Sequence, residues 1–118
     1  MKIIPFNYRG LANPDKKLAL CRLLHSTPYD VIFLQETLDS AKHITSTLLA
    51  ICPGWTFQAL DARGRSGGVA IATNPHTIRI LNQWGGEGFL GIDIYSSELV
   101  VAYHLVHIYT PCSSRLTF

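Results

Sequence analysis

Residues 30–40 read DVIFLQETLDS, and this stretch decides which fold the sequence predicts. Four consecutive apolar residues, 31–34, are typical of a strand that is buried on both faces of a sheet. A strand that only needed burial could end in glycine or asparagine, whereas this one runs directly into Gln35 and Glu36. A carboxylate at a strand end is most often solvated, but in α/β folds this is also where ligands bind.

The residues before this strand predict a second strand and a helix. Residues 2–7, KIIPFN, are typical of a short strand, in which Pro5 favours an edge position or a bulge. Asn13 as N-cap, Pro14 at the first helical position and a proline at position 28 delimit a helix. The right-handed crossover preference makes the two strands of this unit parallel. We therefore expect Asn7 and Glu36 at the same edge of the sheet.

The residues after this strand predict a second helix and then only strands. The helix begins at Ser40 and ends at Pro53-Gly54. From Trp55 onward, short β-branched and aromatic segments separated by turn residues predict antiparallel strands, for a total of about seven. The expected fold is one α+β domain over residues 1–118, in which two helices cover one sheet face and a second sheet must cover the other.

Composition excludes several classes of protein. The chain has 118 residues and a net charge of +2, too small to indicate a nucleic-acid footprint or a polybasic membrane anchor. No stretch is long enough for a signal peptide or a membrane span. Three widely spaced cysteines indicate reduced thiols. We expect an intracellular protein, nuclear or cytoplasmic.

Two motifs have simpler explanations than catalysis. GRSGG, residues 64–68, fits a G-x-S-x-G nucleophile elbow at Ser66, with Asp93 and His104 following. An elbow requires a helix after the serine, whereas a strand pattern follows here, so a turn into a strand is favoured. The histidines show no zinc spacing, and His104 and His107 are expected on opposite faces of one strand. His107 is interpreted as a satisfied, half-buried residue, with a role in a site as the alternative.

Asn7 and Glu36 form the candidate metal site. A carboxamide oxygen beside the carboxylate can bind or orient the same hard cation. Mg²⁺ needs only one or two protein carboxylates, together with water and phosphate oxygens, so a single glutamate is a sufficient anchor.

Four motifs carry a family resemblance: FNYRGL at 6–11, DVIFLQET at 30–37, GRSGGVAIA at 64–72 and HIYTP at 107–111. In order and spacing they resemble the N-terminal half of the endonuclease/exonuclease/phosphatase family, whose fold is DNase I-like. They look most like the endonuclease domains of plant LINE-type (non-LTR) retrotransposons. The resemblance implies a four-layer α/β/β/α sandwich and Mg²⁺-dependent hydrolysis of phosphoesters, with DNA as partner. It further implies Glu36 as the metal ligand, Asn7 beside the metal and Tyr109 positioning the phosphate.

The departures from the family pattern lead to a second set of expectations. Pro5, Phe6 and Arg9 replace common family residues near Asn7, and His107 and Cys112 replace asparagines that often flank the tyrosine motif. The family's D-x-N and S-D-H motifs do not occur after Pro111. We therefore expect a truncated domain of retrotransposon origin that is inactive alone. The alternative is a non-catalytic interaction module that self-associates through its uncovered sheet.

Overall fold

The computed structural model describes residues 1–7, 14–26, 29–38, 40–63, 66–86 and 88–108. These residues form two helices and seven strands, as the sequence predicted. In chain order they are β1 (Ile3–Asn7), α1 (Pro14–Ser26), β2 (Val31–Gln35), α2 (Ala41–Ile51), β3 (Thr56–Arg63), β4 (Ser66–Thr73), β5 (Ile78–Gly86), β6 (Phe89–Ser96) and β7 (Val101–Ile108).

Both helices lie between the signals that the sequence offers, although Asn13, the predicted N-cap of α1, lies outside the described residues. The first helical residue of α1 is Pro14, because its fixed φ suits the first turn. The Ser40 side chain accepts a hydrogen bond from the backbone N–H of His43 at 3.1 Å and caps α2. Ile44 and Leu48 of α2 are fully buried and form the apolar face of this helix.

The first sheet has four strands in the order β1-β2-β4-β3. β1 and β2 are parallel, with Asn7 paired to Gln35, as the crossover rule predicted. β4 pairs antiparallel with both β2 and β3, so the sheet is mixed. β1 is an edge strand, which explains how Pro5 is tolerated.

The second sheet has three antiparallel strands in the order β5-β6-β7. It packs on the face of the first sheet that the helices leave open, giving three layers in the order α/β/β. One core cluster fills the space between the helices and the first sheet, and includes Leu20, Ile32 and Leu48. The other lies between the two sheets and includes Val31, Ile71 and Ile92. The described residues thus form the α/β/β part of the expected sandwich.

Asp30 ties three segments together at the start of β2. Its side chain is buried and accepts hydrogen bonds from the backbone N–H of Lys2 at 2.7 Å and the hydroxyl of Thr77 at 2.6 Å. Its carbonyl accepts from the backbone N–H of Asn74 at 2.9 Å. These bonds fix the start of β1, the start of β2 and the turn before β5 relative to one another.

Among the described residues, neither helix combines the length and the apolar composition that a membrane span requires.

Candidate active site

The carboxyl ends of β1 and β2 meet at one edge of the first sheet. Asn7 is the last residue of β1 and pairs with Gln35, the last residue of β2, so Glu36 follows directly beside it. Neighbouring strands lie roughly 4.8 Å apart, which makes Asn7 and Glu36 close neighbours along the backbone edge. Asn7 is exposed and Glu36 is half-buried. The structure thus brings together the two described residues that the sequence selected, and their catalytic roles stay a prediction.

Glu36 leaves the strand in a strained conformation. Its φ is 55° and that of Leu38 is 56°, both in the left-handed region that non-glycine residues rarely occupy. Each such residue costs about 1–3 kcal/mol, and strain of this kind is concentrated at ligand and active sites.

Thr37 anchors the strained turn to the neighbouring strand. Its backbone N–H donates a 3.1 Å hydrogen bond to the carbonyl oxygen of Gly68, and its side chain is fully buried. Gly68 has a φ of 82°, a conformation that favours glycine. Gly68, the last residue of the GRSGG motif, therefore supports the Glu36 turn. Because Ser66 begins β4 and no helix follows it, the strand context predicted for this motif is confirmed.

The hydroxyl of Thr37 has no hydrogen-bond partner among the described residues. Buried polar atoms are nearly always paired, so an unpaired hydroxyl one residue after Glu36 marks this turn as unusual. Sequence reasoning did not select Thr37, although its place directly after Glu36 was a signal that could have done so.

His107 on β7 is another buried polar residue, and it lies against β2. Its ring stacks on Phe33 of β2, with centroids 4.9 Å apart and an interplanar angle of 18°. Neither ring nitrogen has a hydrogen-bond partner within the described part of the chain. Burial lowers the pKa of His107, so the ring is neutral near pH 7. The prediction of a satisfied, half-buried histidine was wrong: the residue is 3% exposed and has no hydrogen-bond partner among the described residues.

The stack places the end of β7 across from β2. His107 lies two residues before Tyr109, the third predicted site residue. Tyr109 itself lies outside the described residues, as do Arg9 and Cys112. The structure therefore describes the segment that leads toward Tyr109 only as far as Ile108, the last residue of β7.

Asp93 and His104 form a hydrogen-bonded pair on the second sheet, on the face opposite to the one that carries His107. One carboxylate oxygen of Asp93 accepts from His104 Nδ1 and, at 3.1 Å, from Trp84 Nε1. These bonds, with His104 contributing most, lower the pKa of Asp93. Asp93 and His104 lie on strands of the second sheet, whereas the backbone of Ser66 begins β4 of the first sheet. His104 is exposed whereas His107 is buried, which confirms that they face opposite sides of β7.

The chemistry of the site fits a weakly coordinated hard cation better than a protein cage. No group of three or more histidine, cysteine, aspartate or glutamate side chains comes together within the described ranges. Glu36 supplies one carboxylate and Asn7 one carboxamide at the same edge. Mg²⁺ accepts such a sparse protein contribution because water and phosphate oxygens complete its shell.

Comparisons with known proteins agree with this architecture. The sequence model of the Endonuclease/Exonuclease/phosphatase family matches residues 6–110. No curated protein matches the chain.

Three solved structures resemble the fold, each with a TM-score of 0.64. TDP2 of D. rerio, humanized by 14 mutations, is 18% identical, with 92% of this chain and 47% of that chain covered. An endonuclease/exonuclease/phosphatase family protein from Bacteroides thetaiotaomicron is 10% identical, with 87% and 48% covered. The AP endonuclease LMAP from Leishmania major is 18% identical, with 91% and 39% covered. The chain thus spans less than half the length of each of these structures.

Proposed function

This chain belongs to the endonuclease/exonuclease/phosphatase family, and from that premise we propose that residues 1–118 form the metal-binding part of a Mg²⁺-dependent DNA endonuclease domain. The observation that carries the proposal is the juxtaposition of Asn7 and Glu36 at neighbouring strand ends, with Glu36 in a left-handed conformation. A strained backbone conformation persists only where the surrounding structure imposes it, and such conformations cluster at active and ligand-binding sites. An intracellular location, nuclear or cytoplasmic, belongs to the same proposal because the substrate is DNA.

In this proposal each residue has a defined role. The Glu36 carboxylate would hold Mg²⁺, and the Asn7 carboxamide on the adjacent strand would orient the substrate phosphate. Tyr109 positions the phosphate from the end of the chain segment that follows β7. Bound Mg²⁺ supplies positive charge to the phosphoryl and leaving oxygens during in-line attack by water.

We further propose that these 118 residues are inactive by themselves and derive from a plant LINE-type retrotransposon. Neither the D-x-N nor the S-D-H pattern occurs in the sequence. Losing a general base or a transition-state contact typically lowers a rate by about 10²- to 10⁴-fold. Four motifs in the order of those retrotransposon domains support the origin. Genomic DNA beyond codon 118 that encodes no D-x-N motif in any frame would contradict it.

Metal binding is tested with Mn²⁺, a paramagnetic substitute for Mg²⁺, followed by NMR. The amide signals of Asn7 and residues 35–37 should broaden at low Mn²⁺ concentration, and Mg²⁺ should reverse the effect. Glu36→Gln should abolish the broadening, because it removes the charged ligand while keeping the shape. Glu98→Gln is the matched control, since Glu98 is an exposed carboxylate at the β6–β7 turn. Broadening that survives Glu36→Gln would contradict the site.

Catalysis is tested separately by plasmid nicking in Mg²⁺. We expect no nicking above background from the 118-residue chain. Nicking that disappears in Glu36→Gln would show the site to be active and would overturn the proposed inactivity, while leaving the metal site standing.

A second candidate is a non-catalytic module that self-associates. β7 is an edge strand of the second sheet, and its outward-facing Val106 and Ile108 are 40% and 70% exposed. Exposed apolar side chains on the outer face of the sheet form a surface that a second copy of the chain can cover. Sedimentation of the wild type should then show a dimer that Val106→Lys or Ile108→Lys converts to monomer. Leu49→Lys, at an exposed leucine of α2, is the control, and a monomeric wild type would contradict this candidate.

A further inference from the structure

Cys21 of α1 lies close to the peptide unit that precedes Cys52, the C-cap of α2. The Cys21 thiol donates a hydrogen bond to the carbonyl oxygen of Ile51, with 3.9 Å between sulfur and oxygen. That carbonyl belongs to the peptide unit that joins Ile51 to Cys52, the C-cap of α2. Since a carbonyl oxygen lies about 2.8 Å from the next Cα, the Cys52 Cα is within roughly 7 Å of the Cys21 sulfur. A disulfide between them would require both side chains to turn toward each other.

His25 provides a hydrogen-bond donor to the same cysteine. Its Nδ1 lies 2.7 Å from the carbonyl oxygen of Cys21 and 3.6 Å from the Cys21 sulfur. Because a carbonyl oxygen can only accept, Nδ1 carries the hydrogen. The N–H therefore lies beside the sulfur as well, where it can donate to a thiolate during reaction.

The two thiols differ in accessibility. Cys21 is half-buried and reachable from solvent, whereas Cys52 is only 3% exposed. Burial raises the pKa of Cys52, and the nearby Cys21 adds to the effect. An external reagent therefore meets Cys21 first, and Cys52 reacts with a sulfur already inside the protein.

We propose that Cys21 and Cys52 form a site of reversible thiol–disulfide exchange with small-molecule disulfides, in which Cys21 attacks and Cys52 resolves. The Cys21 thiolate forms a bond to one sulfur of the small disulfide, whose S–S bond breaks and releases one thiolate. Cys52 then gives its proton to solvent and attacks the Cys21 sulfur, which releases the second small thiol. Two protein thiols are oxidised, and one small disulfide is reduced to two thiols.

The resulting bond joins the two helices that cover the first sheet. It closes a loop that contains β2 and the Glu36 turn. Restricting such a loop in the unfolded chain stabilises the native state, so oxidation should raise Tm by roughly 5 °C or more. The inference stands on the cysteine geometry alone and does not depend on the proposed endonuclease function.

The test is oxidation of the 118-residue wild type with glutathione disulfide, followed by alkylation, proteolysis and mass spectrometry. We expect a mass decrease of two hydrogen atoms and a linked pair of peptides that carry Cys21 and Cys52. Dithiothreitol should restore the original mass and Tm. Persistent glutathionylation of Cys21 with Cys52 still reduced, pairing of either cysteine with Cys112, or no reaction would each overturn the proposal.

Three variants separate the roles of the residues. Cys52→Ser should accumulate a mixed disulfide at Cys21, whereas Cys21→Ser should react at least tenfold more slowly at position 52. His25→Ala should slow the first step and leave the product unchanged. Equal reaction rates at positions 21 and 52 in the two serine variants would contradict the assigned order of attack.

Discussion

The two ends of β2 differ in how well their polar groups are satisfied. At its start, both side-chain oxygens of Asp30 accept hydrogen bonds, and the backbone geometry is regular. Beyond its end, Glu36 and Leu38 have positive φ angles, and the buried Thr37 hydroxyl has no partner among the described residues. One strand thus connects an end organised for stability to an end that carries strain. This contrast supports placing function at the Glu36 end, because strain and unpaired groups are retained where they serve a site.

The largest expected effect is at the Asp30 end. Asp30→Ala removes the acceptor for Lys2 and Thr77 and should lower the free energy of unfolding by about 2–4 kcal/mol, measured by urea denaturation. Asp30→Asn is the matched control and should cost less, because the Thr77 hydroxyl can rotate to accept from the new amide. Equal losses in the two variants would show that charge, and not the number of bonds, stabilises this end.

The second-largest expected effect is a pH dependence of the free energy of unfolding, which comes from His107. Burial lowers the pKa of His107 in the folded state, so the unfolded chain binds more protons below its ordinary value near 6.5. The free energy of unfolding carries no penalty from His107 above that pH. It should fall as pH decreases through that value, by at most about 1.4 kcal/mol per pH unit. Urea denaturation between pH 7.5 and 5.5, a range of about 2 pH units around the ordinary histidine pKa, would measure it.

His107→Phe should remove this dependence, because phenylalanine keeps the stacking on Phe33 and cannot take up a proton. His76→Gln, at an exposed turn, should leave it unchanged. A His107→Phe variant with the wild-type pH profile would refute the assignment.

A smaller effect should have the opposite sign to that at Asp30. Thr37→Val keeps the branched shape and removes an unpaired hydroxyl, so it should raise the free energy of unfolding by about 1 kcal/mol. Thr73→Val is the control, because the Thr73 hydroxyl contacts the carbonyl of Thr56 at 3.5 Å. A loss of stability in Thr37→Val as large as in Thr73→Val would mean that the Thr37 hydroxyl is paired.

The smallest effect concerns backbone strain alone. Leu38→Gly places at φ 56° a residue that adopts this conformation freely, and the side chain it removes is exposed. We expect a gain of about 0.5 kcal/mol in thermal or urea unfolding. Leu49→Gly, at a similarly exposed leucine of α2, should instead lose about 1 kcal/mol. Losses in both variants would remove the argument that the Glu36 turn is strained.

Local patterns predicted the elements well because their signals act within a few residues. Prolines and helix-start residues predicted α1 and α2, and short apolar, β-branched and aromatic segments predicted the strands. The crossover rule predicted the parallel pair that brings Asn7 and Glu36 together. The prediction that a strand, and not a helix, follows Ser66 also rested on a local sequence pattern. The hydrogen bonding of His107 could not be predicted in this way. The alternation of side chains along a β-strand predicts which face His107 occupies, but not whether a hydrogen-bond partner lies opposite it.

The sequence by itself determined the order of elements, the parallel β1–β2 unit, the position of Glu36 at a strand end and the family. Only the tertiary structure decided the left-handed turn at Glu36, the stack of His107 on Phe33 and the approach of Cys21 to the Cys52 peptide. The physical reason is range. Caps, turns and alternation depend on near neighbours in the chain, whereas these contacts join residues whose meeting is set by how the helices and two sheets pack.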